Sequence, residues 1–394
     1  MNQCRTAELT SIGMIRDLVS FDTVSRNSNL EIIDFIRRYL DGHGVESQII
    51  PADGDGKACI YATIGPKDRG GVMLSGHTDV VPVEGQAWTS DPFQVIERDG
   101  RLYGRGTADM KGFDAIALAH VPLFLASDLK TPIHLAFSCD EELGCVGVRP
   151  MIDVIKQMPV KPRMGIIGEP TLMKVMTGHK GKKSVRVEVR GHECHSSRAP
   201  TGVNAVEYAA EVIAYIKGMA RRLQREGARD AAYDVPHTTA HVGRVAGGTA
   251  LNIVPNSCWF EFEFRHLPAD DPEALFAEVR GYAERELEPL MTEIDPKTGF
   301  DWEEMFKFPG LDTANDAQVT KLATDLTGNA ETGRVAFGTE AGWFSVDGGI
   351  PCVVCGPGDI DQAHKPDEFM SLEQVAEGEA FMRRLAEVCS REVL

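Results

Sequence analysis

A histidine and an aspartate two positions apart, His77 and Asp79, close an apolar run that passes through Leu74, Ser75 and Gly76. Side chains two apart on an extended segment share a face. His77 can therefore offer one ring nitrogen to a cation while Asp79 accepts the other N–H and sets the tautomer. An ordinary surface turn at a strand end reads the same way. Asp109 stands in the glycine-punctuated stretch GRGTADMKG, just ahead of an expected helix, where in isolation it reads as an N-cap. Asp140, Glu141 and Glu142 follow another short apolar run directly, and three carboxylates so placed need either solvent or compensating positive charge. Glu169 ends the run Ile166, Ile167, Gly168, and His364 lies in a late loop with Lys365 and Pro366. All five places sit at strand mouths or in adjoining loops of one expected body, where α/β proteins build their sites.

The elements that must position these side chains are legible from periodicity. Apolar residues recur at three-to-four spacing over 9–19 and 31–40, which predicts helices, whereas 58–64, 72–75 and 133–138 are short apolar runs with strand character. Asp99 and Gly100, inside 96–103, signal a hairpin. Helices fit 113–125 and 146–157, and alternation of this kind predicts helices packed on a mixed sheet. From Ser184 the rhythm changes. Val185, Val187 and Val189 alternate as in a strand, a long helix fits 205–223, strands fit 239–245 and 258–264, and a helix starts at Pro272. The first pattern then resumes with apolar runs at 335–337 and 353–355 and a closing helix that Ser371 and Gln374 open as a capping box. The expected fold is α/β, a catalytic domain with a central mixed sheet flanked by helices, interrupted by a smaller α+β lid. Its expected bounds are 1–181 and 294–394 for the catalytic domain and 182–293 for the lid.

The bulk numbers exclude several classes. At 394 residues the chain exceeds the size at which single cores stop growing. A formal charge of -18 argues against a nucleic-acid or anionic-membrane partner. No run approaches the roughly 20 apolar residues of a membrane span, and 1–30 lacks the pattern of a secretory leader. Nine irregularly spaced cysteines read as reduced, buried thiols, so the expected location is cytoplasmic. The pair Cys352 and Cys355 has no second pair to complete a zinc site and reads as core packing in a buried strand. Neither a G-x-S-x-G elbow nor an H-E-x-x-H motif is present, which removes a serine hydrolase and a zincin.

SGHTDVVPV, GRGTADMKG, the Glu141-Glu142 pair, GEPT and His364 together resemble the successive motifs of the M20 family of di-metal amidohydrolases, nearly end to end. GHECHSS and LNIVPNSCWFEFEFR resemble that family's lid, which is also its dimerisation domain. The resemblance implies two divalent ions, zinc first, although histidine and carboxylate donors also suit cobalt or manganese. It implies that Asp109 bridges them, that His77 and Glu169 complete one sphere and that Glu142 and His364 complete the other. Asp79 orients His77, and Glu141 is the general base. His195, reaching in from a partner's lid in a homodimer, steadies the oxyanion. Asn252 and Arg265 resemble lid residues that grip the oxyanion and the substrate's α-carboxylate. A second metal site at His192 and His195 is not expected, since strand positions three apart face opposite ways.

The implied substrate is a small N-acylated amino acid. Within the family, desuccinylases carry an arginine where this chain has Trp343 and a Ser-Asp pair where it has Glu340 and Ala341. A succinyl carboxylate would lose its cationic partner here. Thr339-Glu340-Ala341 instead resembles the acetylornithine deacetylases, with Glu340 able to receive an amino group or, alternatively, to cap the next helix. Hydrolysis of N-acetylornithine to ornithine and acetate, a step of arginine biosynthesis, is the expectation. Desuccinylase, aminoacylase and dipeptidase activities stay open. A scaffold that has lost catalysis would tend to lack Glu141 or one of the five ligands, and all are present.

Overall fold

In the computed structural model, which describes residues 10–54 and 56–394, the chain divides into two units. Leu9, included in the first expected helix, lies outside the described residues. The first unit runs to Gly178 and resumes over Leu311–Arg334 and Thr339–Leu394; the second comprises His179–Gly310 with Val335–Gly338.

The strands in chain order are β1 (Ser47–Pro51), β2 (Ala58–Ile64), β3 (Val72–His77), β4 (Ile96–Arg98), β5 (Arg101–Tyr103), β6 (Ile133–Ser138), β7 (Met164–Pro170), β8 (Val175–His179), β9 (Gly181–Arg190), β10 (Thr239–Gly247), β11 (Ser257–His266), β12 (Gly299–Phe308), β13 (Leu311–Asp312), β14 (Thr332–Val335), β15 (Cys352–Gly356) and β16 (Phe369–Ser371). The α-helices are α1 (Ser11–Val19), α2 (Leu30–Gly42), α3 (Lys111–Ala119), α4 (Val121–Ala126), α5 (Arg149–Gln157), α6 (Ala205–Glu226), α7 (Pro272–Tyr282), α8 (Glu288–Ile294), α9 (Gln318–Thr327), α10 (Ala341–Val346) and α11 (Leu372–Arg391). No helix among the described residues is long and apolar enough to cross a membrane.

The first unit is built on a nine-stranded mixed sheet whose main path runs β1-β2-β6-β3-β7-β15-β8-β13. Its centre, β6-β3-β7-β15, is parallel. Each of these four strands is buried along its whole length, as expected when helices cover both faces of a parallel sheet. One face packs α1, α2, α3 and α11 through Leu18, Ile36, Phe113, Ile116 and Phe381; the other packs α5 and α10 through Ile152, Ile155 and Phe344. Cys352 and Cys355 lie in β15 as buried free thiols, and the other described cysteines are free as well. The Asp99-Gly100 turn joins β4 to β5 with φ of 51° and 71°, the left-handed pair that a two-residue hairpin requires.

The second unit is a four-stranded antiparallel sheet, β10-β11-β9-β12. Val185, Val187, Val189, Phe260, Phe262 and Phe264 alternate onto one face and meet Ala209, Val212, Ile216, Met219 and Leu223 of α6, whose spacing makes a single apolar stripe. The intervening residues carry charge, including the pairs of Arg186 with Glu261 and Lys182 with Glu263.

The structure departs from the sequence expectations in several elements; the run at 335–337, expected to resume the first pattern, falls in the second unit. The helix expected over 113–125 is two helices, because Pro122 cannot donate to the Leu118 carbonyl; Tyr39 Oη donates to it instead, at 3.1 Å. The capping box is half formed. Ser371 Oγ accepts the Gln374 N–H at 3.1 Å, but the Gln374 side chain accepts from Gly358 N and does not turn back to Ser371. Finally β12, which lies beyond residue 293, pairs with β9 from Gly299 opposite Arg190 to Phe308 opposite Lys182. A bulge between Glu304 and Phe306 interrupts its alternation, which hides the strand from a search for a two-residue period.

Candidate metal centre

Strand order explains why distant residues meet. His77 is the last residue of β3, Glu169 lies near the end of the adjacent β7, and Glu141 and Glu142 follow β6 on the other side. All three strands are parallel, so their carboxyl ends open at one edge of the sheet, where such folds bind ligands. Asp109 enters from the loop before α3. It does not cap that helix, whose N-cap is Met110 with no side-chain bond. The Asp109–Met110 peptide is cis.

The two oxygens of Asp109 face two different imidazoles. Oδ1 lies 3.1 Å from His77 Nε2, and Oδ2 lies 3.1 Å from His364 Nε2. His77 Nε2 is also 3.8 Å from Glu169 Oε1, and His364 Nε2 is 3.2 Å from Glu142 Oε1. Donor atoms of His77, Glu141 and Glu169, and of His77, Asp109 and Glu142, each lie within 4.8 Å of one another. This clustering puts Glu141 among the possible donors on the His77 side, so distance alone does not separate a base from a ligand.

The orienting partner of His77 differs from expectation. Its Nδ1 donates to the backbone carbonyl of Asp79 at 2.9 Å, while the Asp79 carboxylate is 3.6 Å away. That bond fixes the same tautomer and leaves Nε2 for a cation. The carboxylate of Asp79 instead accepts the backbone N–H of Glu141 at 3.1 Å, that of Glu142 at 3.3 Å and the Ser25 hydroxyl at 2.7 Å. A side chain two residues from His77 thus holds the peptide that carries both glutamates, because a strand end lets the chain turn before Asp79 is reached.

Glu340 is 1% exposed and occupies the N-cap position of α10, but its side chain makes no capping bond. One of its oxygens accepts from Ser138 Oγ, and the other is buried without a partner. Cys145 Sγ donates to Glu141 Oε1 at 3.1 Å, and Lys57 Nζ donates to Asp140 Oδ1 at 2.6 Å. Sequence reading missed Ser25, Lys57, Ser138 and Cys145; only Cys145, four residues after Glu141, carried a spacing that could have drawn notice.

Charge at the centre is unbalanced. Burial pushes the Glu141 carboxyl up to about 8, with the Glu142 and Asp109 charges adding to it, and raises Glu142 and Glu169 as well. Hydrogen bonds to Asp109 and Glu142 lift His364 to about 10. Burial works against a charged His77, yet Asp109, Glu169, Glu141 and Asp79 raise it well above its usual value. Among the described residues the ion-pair partners of Asp109, Glu142 and Glu169 are these two imidazoles alone. Carboxylates and imidazoles gathered about the buried His77, Asp109 and Glu169, with His364 closing the set from the exposed side and no Lys or Arg paired with Asp109, Glu142 or Glu169 among the described residues, fit divalent cations that accept nitrogen and oxygen donors. A cavity of about 590 Å³ opens elsewhere in this unit, beside Tyr61, Lys67, His134 and Met158. No residue of the centre lines it, so convergent donors, and not open volume, mark the site.

The remaining candidates belong to the second unit. His195 and Asn252 are exposed and adjacent: Ser196 N donates to the Asn252 carbonyl at 3.0 Å, and His195 bridges to Ile253. Arg265, in β11, pairs with Glu263 at 3.0 Å. His192 and His195 lie outside the strands and do not share a site. His192 Nδ1 is 2.7 Å from Asp295, and His195 Nδ1 is 2.8 Å from the Ser197 hydroxyl.

Residues 73–388 match the model of peptidase family M20/M25/M40. The chain is 34% identical over 364 residues to an acetylornithine deacetylase of Pasteurella multocida, covering 90% of each chain. To an acetylornithine deacetylase of Myxococcus xanthus it is 33% identical over 378 residues, covering 94% of this chain and 95% of that one. Among solved structures, the aminopeptidase PepT of Bacillus cereus superposes with a TM-score of 0.73 at 20% identity, over 98% of this chain and 100% of that one. The YXEP protein of Bacillus subtilis, described as a dinuclear metal binding peptidase from the M20 family, gives a TM-score of 0.64 at 18% identity, over 97% and 98%.

Proposed function

The chain belongs to peptidase family M20/M25/M40, and from that membership we propose that this metallohydrolase cleaves the amide bond of N-acetylornithine, releasing ornithine and acetate, as a step of arginine biosynthesis. The observation that carries the chemistry is Asp109, with one carboxylate oxygen toward His77 and the other toward His364. Two divalent cations, zinc first and cobalt or manganese next, would be held by His77, Asp109 and Glu169 on one side and by Asp109, Glu142 and His364 on the other. When bound, they supply Lewis acidity that polarises the amide carbonyl and makes water more acidic.

The chain's own groups do the rest. Asp79 holds the Glu141 peptide, so the Glu141 carboxylate stays at the edge of the donor set while Cys145 steadies one oxygen. Glu141 takes the proton of the attacking water and later returns it to the leaving amine. His195, from the second unit of a partner in a homodimer, donates to the oxyanion, and Asn252 and Arg265 grip the oxyanion and the substrate's α-carboxylate. Val245, 57% exposed on the edge strand β10, is the kind of surface a partner would cover.

The choice of acyl group and amine rests on two residues. By resemblance, Trp343 takes the place of the arginine that desuccinylases carry, so a succinyl carboxylate would lose that partner. The unpaired buried oxygen of Glu340 would gain a donor from the substrate's side-chain ammonium, removing the penalty of an unsatisfied acceptor. Metal-reconstituted protein should hydrolyse N-acetylornithine faster than N-succinyl-diaminopimelate or plain N-acetyl amino acids. A preference for the succinyl compound would overturn the assignment.

A further inference from the structure

Glu368 and Arg105 form an ion pair at 2.5 Å with both side chains fully buried. Replacing such a pair by apolar side chains often costs nothing in stability, so its value lies in the geometry it imposes. Glu368 Oε1 accepts three N–H groups of one loop, from Gly106 at 2.9 Å, Ala108 at 2.9 Å and Asp109 at 3.1 Å. The carboxylate therefore fixes the peptide on which Asp109 stands. Glu368 is also four residues from His364, in the same loop, and its own carbonyl accepts from Gly104 N at 2.9 Å.

The other end of the guanidinium reaches a third loop. Arg105 Nη2 donates to Gln86 Oε1 at 2.7 Å, Trp88 Nε1 donates to the same oxygen at 3.0 Å, and Gln86 Nε2 donates to the His364 carbonyl at 2.9 Å. Thr89 adds two bonds to Asp367 Oδ1, at 2.9 and 3.0 Å. His364 and Asp367 both have positive φ, 62° and 55°, a left-handed backbone that non-glycine residues hold only when their surroundings over-determine it. Gln86 and Thr89 bond to these two residues.

We infer that Gln86, Arg105 and Glu368 are positioning residues that close a hydrogen-bonded ring from the Asp109 peptide to the His364 carbonyl, and so set the separation of two groups that share one cation. The inference rests on the two-cation reading above. Its consequence is asymmetric. Glu368 bonds directly to the peptide of Asp109, which both cations would share, whereas Gln86 bonds directly to the His364 carbonyl and reaches Asp109 only through Arg105 and Glu368.

The test is calorimetric titration of the metal-depleted full chain with zinc ion alone. Wild type should bind two equivalents, and His364→Ala should identify the equivalent that depends on His364. Gln86→Ala should weaken that same equivalent by about 10- to 100-fold, the usual effect of losing a partner that orients a ligand, and leave the other within about twofold. Glu368→Gln should weaken both. If Glu368→Gln fails to fold, as thermal melting would reveal, Gln86→Ala alone decides. Wild type binding fewer than two zinc ions would sink the two-cation reading itself. Two tight equivalents in wild type and in Gln86→Ala, or equal weakening of both in Gln86→Ala, would overturn the positioning role while leaving that reading intact.

Discussion

Lys57→Met offers a sharp test of how the glutamate-bearing loop is held. Lys57 Nζ donates at 2.6 Å to Asp140 Oδ1 and at 2.5 Å to the Ser25 carbonyl, and both charged side chains are only 9% exposed. Asp140 has φ of 51° and immediately precedes Glu141, so the pair fixes a strained turn at the edge of the centre. Methionine keeps the length of the stem but leaves a buried carboxylate unpaired, which typically costs about 3–5 kcal/mol. The cost depends on pH with a definite sign. Burial already raises Asp140 above its usual value of 3.8, with Lys57 pulling it down, and loss of Lys57 raises it further. A group whose folded pKa is raised contributes stability that is lost as pH rises through that value. The deficit of Lys57→Met relative to wild type should therefore be small in acid and grow with pH, by at most about 1.4 kcal/mol per unit. Equilibrium urea unfolding at about pH 5 and about pH 8, run as a double-mutant cycle with Asp140→Asn, reads both quantities, and a coupling of about 2 kcal/mol or more is expected at the higher pH. A Lys57→Met deficit below about 1 kcal/mol at pH 8, or additive single variants, would refute the account of a buried, mutually dependent pair.

Three further outcomes follow from the centre. Glu141→Gln removes a proton acceptor but not the donors of the two imidazoles, so zinc stoichiometry should stay at two while kcat falls by about 10²- to 10⁴-fold; unchanged turnover would rule the base elsewhere. His364 must shed its proton before it can bind a cation, and with its value at about 10 in the metal-free protein, against 6.5 ordinarily, zinc affinity on that side should climb as pH rises, by at most about tenfold per unit. In the metal-free protein the same shift contributes stability that is full below 6.5 and lost as pH rises through about 10, so chelator-treated protein should melt at lower temperature as the buffer becomes more alkaline. A pH-independent zinc affinity between about pH 6.5 and 9 would contradict the pairing of His364 with Asp109 and Glu142.

Much was readable from local pattern. The strands β2 and β6 and the alternating residues of β9 and β11 announce themselves through their apolar periods, because a side chain's burial in a sheet is written at every second residue or in an unbroken run. Chemistry-bearing residues at strand ends were visible for the same reason: His77, Glu169 and the Glu141-Glu142 pair each follow an apolar run. Their separation into ligands and base was not, since it came from resemblance, and the distances leave Glu141 close to the His77 side. Asp79 could be seen beside His77, but not that its carboxylate would turn to the Glu141 and Glu142 peptides. Glu340 looked like a helix cap or a surface for an amine, and only folding shows it buried on Ser138.

What the chain encodes by itself is therefore the set of elements and the acids and imidazoles stationed at their ends, because periodicity and turn chemistry act over a few residues. Which of those groups meet was decided by the order β6-β3-β7 and by the ring through Gln86, Arg105 and Glu368, contacts between segments up to about 280 positions apart. No local pattern carries such pairings; they exist only once the parallel strands have chosen their neighbours and brought their carboxyl ends to one edge.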